Sequence, residues 1–286
     1  MQATQQKANQ NNLLEKVFKL SEHGTNVKTE IIAGITTFMT MAYILAVNSN
    51  MLAEAGMDAG AVFVATALSA TISCFVMAFL SNYPIALAPG MGLNAFFAYT
   101  VVLQMGYTWQ MALLGVFIEG VLFIILTVTS LREQIINCIP KDLKNAVTAG
   151  VGLFIASVGM TNAGIINTAN GTLALSSLHD PLVVLSVVGL GIAGILVCRN
   201  VRGALLLSIL LTSAIGMLTG IVTLPTKIVS LNVPSLAPTF MQAFSVPLEK
   251  IFSLDMVIVV FTFLFMDLFD SVGFLVGVAA KGNLID

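Results

Sequence analysis

The chain has 286 residues, of which 57% are hydrophobic and only 9% charged, with a mean hydropathy of +0.97. A soluble domain carries roughly a quarter charged residues, so this balance excludes a soluble globular class and implies a polytopic membrane protein. A net charge of −2, with no basic cluster interleaved by aromatics, gives nucleic-acid binding no support.

Residues 1–28 form a polar, Gln/Asn-rich tail with Lys7, Lys16, Lys19 and Lys28. It lacks the apolar core of a signal peptide and is expected to stay uncleaved. Leu13–Leu20 reads equally well as a short amphipathic surface helix or as loosely ordered tail. Ile31–Ala53 is the first predicted span. It carries Thr36, Thr37 and Thr40 beside Phe38, and a span this polar is expected to face protein rather than lipid. Phe38 is a candidate substrate contact. Ala59–Leu80 is the second span, rich in small residues.

The third element, Tyr83–Val102, is apolar but interrupted by Pro84, Pro89, Gly90 and Gly92. Proline removes a backbone donor and clashes with the preceding turn, so Pro84–Pro89 reads as extended, with Ile85 and Leu87 on one side. Gly90-Met91-Gly92 is a corner, and a helix restarts near Leu93 with Asn94 in its first turn. Backbone left open in this way must face protein or a water-filled cavity. Broken half-helices of this kind hold the solute in secondary transporters, through the free N–H groups at the half-helix start. The backbone of Ala88, Gly90 and Gly92 and the side chain of Asn94 are therefore candidate substrate contacts.

Thr108–Ser130 is the fourth span, with Trp109 as an interfacial anchor and Glu119 at its middle. A carboxylate at that depth costs about 3 kcal/mol, so Glu119 is expected to point inward. Leu131–Lys144 is a polar loop, Asn145–Ala163 a glycine-rich fifth span, and Gly164–Asp180 a loop without Lys or Arg. Pro181–Cys198 is the sixth span, Arg199 and Arg202 form a basic turn, and Gly203–Val222 is the seventh. Residues 29–222 thus hold spans one to seven. Residues 223–254, with four of the eight prolines, form a long loop with room for a short surface helix. Residues 255–286 hold the eighth span, Asp255–Ala280. Cys74, Cys138 and Cys198 form no CxxC pair and read as small apolar fillers.

A cytoplasmic N-terminus, with the broken element counted as one crossing, places all of the twelve Lys and Arg inside except Lys227 and Lys250. Those two fall in the long loop, which then lies outside the cell. A re-entrant third element would instead put Arg132, Lys141 and Lys144 on the wrong side.

In FTFLFMDLFDSVG, Asp267 and Asp270 are three apart and so neighbours on one helical face. Two ionised carboxylates at that spacing repel each other in a low-dielectric bundle, and sharing one proton relieves the repulsion. That suits a proton-coupled carrier, and a carboxylate also accepts from ring N–H donors of a solute. A packing pair or a cation site would use the same residues. An aspartyl protease would need carboxylates facing each other from separate helices and a partner glycine-aspartate motif, which is absent from this sequence. No enzyme activity is expected. An uncoupled channel or a non-transporting assembly partner remains the other class, and flux indifferent to the proton gradient would reveal it.

The stretches GITTFMTMAYILAVN, NYPIALAPGMGLNAFFAYTVV, GVFIEG, LREQIINCIP and FTFLFMDLFDSVGFLVGVA resemble the AzgA-like purine permeases. These are adenine/guanine/hypoxanthine–proton symporters of the nucleobase–cation symporter superfamily. The likeness runs from about Gly24 onward, and APGMGLNAFFAY carries it most specifically. It implies an all-α polytopic membrane protein of the uracil-transporter-like inverted-repeat fold, two seven-span repeats divided into core and gate, with the third element a short strand plus a half-helix. It also implies a purine nucleobase as partner, a proton as coupling ion with no other cofactor, and a site in the inner (plasma) membrane. A homodimer is allowed for. Asn94 matches the family's asparagine on the third element, and Asp267 and Asp270 match the acidic pair on the eighth. The chain stops after that span, so it is expected to be an incomplete copy lacking the tenth-span partner element. Thr37, Phe38 and Met41 recur as Thr262, Phe263 and Met266 at constant offset, a faint trace of the repeat.

Overall fold

In a computed structural model of the chain, the described residues are 13–129, 131, 134, 138, 140–167, 174–177, 179–223, 232–246 and 253–281. They fall into two compact units, each assembled from three separate stretches of chain.

The first unit takes residues 1–46, 66–89 and 178–228. Helix α1, Leu13–Phe18, forms where the sequence leaves a surface helix and a loosely ordered tail equally open. The Phe18 ring lies 5.5 Å from Phe79, and Asn82 Nδ2 donates to the Phe18 carbonyl at 3.3 Å. Helix α2, Val27–Met41, starts at Asn26, whose side chain accepts from Thr29 N; such a cap satisfies an otherwise orphaned amide. The helix stops at Ala42 and resumes as α3, Ile44–Glu54. The first span is therefore two helices with a break at Ala42–Tyr43. Helix α4, Ala59–Val76, widens into a π-helical turn over Met77–Ser81 and ends at Asn82 in a left-handed conformation. Helix α8, Pro181–Cys198, is capped by Asp180 and has proline at its first turn, where a missing N–H costs nothing. A turn through Arg199 and Arg202 leads to α9, Ala204–Leu218, which opens on Gly203 at φ 71°. The two helices pack closely: a Cβ on Gly189 would lie 2.8 Å from Thr212.

The second unit takes residues 47–65, 90–177 and 229–286. Helix α5, Met91–Ala95, continues as a wide π-helical stretch, Phe96–Gln104. Helix α6, Trp109–Val128, begins at Thr108, whose hydroxyl accepts from Met111 N. Helix α7, Lys141–Asn162, starts straight after Pro140, so the helix includes the last four residues of the expected 131–144 loop. Proline cannot continue a helix from before but fixes a suitable entry. Strands β1, Ile166–Asn167, and β2, Ala174–Leu175, pair antiparallel. That hairpin departs from the all-α expectation. A short 3₁₀ turn, Gln242–Ser245, lies in the long loop, and α10 runs Leu254–Lys281. Phe263, Met256, Val101 and Val259 are fully buried in the core of this unit. Phe96 meets Phe263 edge-on at 5.1 Å, and Phe117 meets Phe244 at 4.9 Å.

Among the described residues four helical stretches are long and apolar enough to cross a membrane: Val27–Glu54, Ala59–Ser81, Trp109–Val128 and Pro181–Cys198. Met91–Gln104, Ala149–Asn162 and Ala204–Leu218 are apolar but shorter. A multi-pass helical membrane protein follows. Arg132, Lys227 and Lys250, which the orientation argument used, lie outside the described residues.

Candidate functional site

The break in the third element is where the sequence places it. Residues 82–90 are non-helical, and the helix restarts at Met91, two positions before the expected Leu93. Asn94 N is the first amide to close the new helix, bonding the Gly90 carbonyl at 3.2 Å. This non-helical piece joins no ladder among the described residues, where the pairing is of β1 with β2. Its backbone is held instead by a thiol. Cys74 Sγ accepts from Leu87 N at 3.2 Å and donates to Leu87 O at 3.4 Å. Cys74 is thus a latch on the extended backbone, a role that the sequence reading of it as filler misses.

Within the second unit, the start of α5 faces α7 and α10 across a cleft of about 260 Å³. Gly92 and Leu93 form one wall, Val147 and Val151 another, and Phe269 and Asp270 a third. A Cβ on Gly92 would come within 2.9 Å of Val151, so the glycine is what lets α5 approach α7. A Cβ on Gly90 would sit 3.0 Å from Asp270 Oδ2. The Asp270 carboxylate therefore stands at the restart of the broken helix, where the positive end of the peptide dipoles favours an anion. The cleft is apolar apart from this acid and the adjoining backbone, the usual make-up of a site for a small flat solute.

The other candidates are distributed differently. Asn94 does not line this cleft; its Nδ2 donates to Asn48 Oδ1 at 2.6 Å. Asn48 is itself buried, a polar partner in an apolar run that the sequence reading passes over. Asp267 parts company with Asp270 although the two are three residues apart. It accepts from Ser271 Oγ at 3.0 Å and lies within electrostatic reach of Glu119. Residues three apart on a helix are offset by about 60°, enough to send two short side chains to different neighbours. Glu119 does point inward, at 6% exposure. Ala88 and Phe38 belong to the first unit and do not line this cleft. Phe38 is 59% exposed and α2 has no buried residue, whereas the α3 half of the same expected span buries Ile44, Asn48, Ser49 and Met51. The hydroxyls of α2 are satisfied locally: Thr36 and Thr37 donate to carbonyls one turn back.

A second polar group went unnoticed in the sequence. Asn162 Nδ2 donates to the Tyr99 hydroxyl, which also bonds Glu54. A phenol can donate and accept at once, so it ties the ends of α3 and α7 to the π-helical stretch. No signal in sequence spacing links residues this far apart.

Residues 28–283 match a family model described as the Permease family. The chain is 47% identical over 282 residues to a guanine/hypoxanthine permease, PbuG, of Bacillus subtilis, covering 95% of this chain and 64% of that protein. It is 42% identical over 276 residues to an adenine permease, AdeP, of Escherichia coli, covering 96% of this chain and 61% of that protein. A second Bacillus subtilis guanine/hypoxanthine permease, PbuO, is 42% identical over 277 residues, 94% of this chain and 63% of that protein. The chain spans somewhat less than two thirds of the length of these relatives.

Proposed function

The chain belongs to the permease family that residues 28–283 match, a family of transporters rather than enzymes, and from that premise we propose that it forms the purine-binding part of a secondary transporter. The observation that carries this reading is the cleft at the restart of the broken helix, closed on one side by Asp270 and walled by the glycine-spaced turn of α5. A purine nucleobase fits it chemically. Its flat ring suits the apolar walls of Val151 and Phe269, and a ring N–H would donate to the Asp270 carboxylate. Ring nitrogens or an exocyclic oxygen would take hydrogen bonds from the amides of Gly92 and Leu93. Asn94, held by Asn48, sits one turn further along and would meet the solute by turning its amide. Such recognition of polar ring edges discriminates strongly, because a wrong ligand leaves buried groups unpaired.

Adenine, guanine and hypoxanthine are the substrates proposed, on the strength of the related permeases. Proton symport is proposed for coupling, with the carboxylates of α10 taking the proton. A second repeat inverted on the first would supply the opposite wall of the pocket, and a homodimer is compatible with this scheme. The protein would lie in the inner (plasma) membrane with its N-terminus, the Arg199–Arg202 turn and residues 131–144 cytoplasmic, following the distribution of Lys and Arg. The alternative, a channel or a non-transporting partner, differs in one observable. The test is uptake of labelled adenine, guanine and hypoxanthine into cells expressing the full-length protein, with and without an uncoupler. Uncoupler-sensitive, mutually competitive accumulation supports the reading, and absence of purine accumulation rejects it.

A further inference from the structure

Helix α1 has six residues, Leu13–Phe18, too few to persist alone, so it needs partners elsewhere in the first unit. It finds them at the turn from which the broken element starts. The Phe18 ring lies 5.5 Å from Phe79, which stacks on Phe75. The Phe18 carbonyl, at the helix end where carbonyls lack a helical partner, accepts from Asn82 Nδ2 at 3.3 Å. The same nitrogen stands 3.3 Å from His23 Nε2. A carbonyl oxygen can only accept, so the Asn82 atom facing it is the amide nitrogen, and the ring nitrogen facing that amide must be bare. His23 therefore meets Asn82 as a neutral imidazole with its hydrogen on Nδ1. A protonated ring would set N–H against N–H and lose the bond. The charged groups around the ring are engaged with one another or with backbone. On its own turn Lys19 pairs with Glu22 at 3.2 Å, and Glu15 accepts from Ser21 N at 2.8 Å. At the start of α2, Glu30 accepts from the Thr25 hydroxyl at 2.7 Å. Lys16 on α1 and Lys28 on α2 are the remaining charges, and the π-helical turn Met77–Ser81 brings none.

We propose that residues 13–25 are a proton-released clasp on the Asn82 turn, closed while the His23 ring is neutral and open once it is protonated. His23 is exposed, so it takes its proton from the water at the membrane face on which the N-terminus lies. The proton adds to Nε2, and the bond from Asn82 Nδ2 is lost in the same step. Asn82 holds a left-handed backbone, φ 53°, which is uncommon for a residue other than glycine. It is also the last residue before the non-helical run 83–90. Fixing its side chain fixes that turn, and acidifying the N-terminal face loosens the start of the broken element. The clasp does not depend on which solute the protein carries.

Hydrogen–deuterium exchange of the full-length protein in nanodiscs, read by mass spectrometry, tests this at about pH 8 and about pH 5, either side of the range in which imidazole takes up a proton. Variants are compared with one another at each pH, which cancels the effect of pH on exchange itself. His23→Gln keeps an acceptor that acid does not remove, and His23→Ala has none. The two variants should differ about threefold in the exchange rate of residues 13–20 and 82–88. The parent should follow His23→Gln at the higher pH and His23→Ala at the lower. Asn82→Gly keeps the left-handed backbone without the side-chain amide, and should exchange at least as fast as His23→Ala at both pH values. His23 is exposed, so its variants remain readable even where Asn82→Gly fails to fold. Parent, His23→Gln and His23→Ala indistinguishable at both pH values overturn the proposal, as does a parent that follows His23→Ala at the higher pH. A pH response confined to residues 13–20, with 82–88 unmoved, overturns it too, since the segment would then not hold the turn. So does a folded Asn82→Gly that retains the parent's pH response.

Discussion

The two units satisfy their hydroxyls in the same way, but among the described helices only those of the second carry carboxamides. In the first, the hydroxyls of Thr37, Ser186, Thr212 and Thr219 each donate to a carbonyl of their own helix. In the second, the hydroxyls of Thr127, Ser157 and Thr161 do the same, but two carboxamides reach beyond their own helix: Asn94 to Asn48 and Asn162 to Tyr99. A hydroxyl that bonds its own turn is neutralised for membrane burial and says nothing about a site. A carboxamide or carboxylate cannot be neutralised that way, so it needs a partner on another element, a proton or a solute. The reach of the hydrogen bond, rather than the polarity of the residue, separates scaffold from candidate site.

This contrast can be broken or sharpened by substitution. The largest effect is expected from Gly92→Val, whose branched side chain would be driven into Val151, 2.9 Å from the first added carbon. Overpacking of this kind costs about 3 kcal/mol and should show as a lowered midpoint of thermal unfolding in detergent. Gly90→Ala crowds the Asp270 carboxylate, at 3.0 Å, and meets Leu93 only at ordinary contact distance; it should leave that midpoint unchanged while weakening purine binding. Equal destabilisation by both would mean that Gly90 is scaffold too.

Next comes Asp270→Asn, which replaces a charged acceptor with a neutral amide. A loss of about 2 kcal/mol in purine affinity, near thirtyfold, is expected by calorimetric titration of the full-length protein. Asn94→Ala should cost less, about 1 kcal/mol of affinity, because Asn94 is one turn from the cleft and already engaged by Asn48. Were Asn94→Ala the more damaging of the two, the solute would have to lie on the Asn48 side. The smallest effect belongs to Thr37→Val in the first unit. Its hydroxyl bonds only the Ala33 carbonyl, so thermal stability and uptake should both stay within about 0.5 kcal/mol of the parent. A large loss of uptake there would place α2 in the transport path after all.

Much of the frame is legible in the sequence because it depends on local rules. Pro84, Pro89 and Gly90 break a helix wherever they occur, and Asp180-Pro181 starts one, so both boundaries agree within a residue or two. The break at Ala42–Tyr43 escapes because nothing in that stretch forbids a helix. The β1–β2 hairpin escapes because strands of two residues leave no period to read. At the site, the spacing of Asp267 and Asp270 establishes that they share a helix, but not that one turns to Ser271 and Glu119 while the other faces Gly90. Partners such as Asn48 for Asn94 and Tyr99 for Asn162 are separated by dozens of residues, and only the packing of helices brings them together.

The most direct test of the account is the position of a bound purine in an electron-density or cryo-EM map of the full-length protein with guanine or adenine. The account predicts a flat density beside Gly90 and Gly92, with a ring nitrogen within hydrogen-bond distance of the Asp270 carboxylate and no solute contact to Glu119. A purine seated away from the restart of the broken helix, with Asp270 facing no ligand atom, would contradict it.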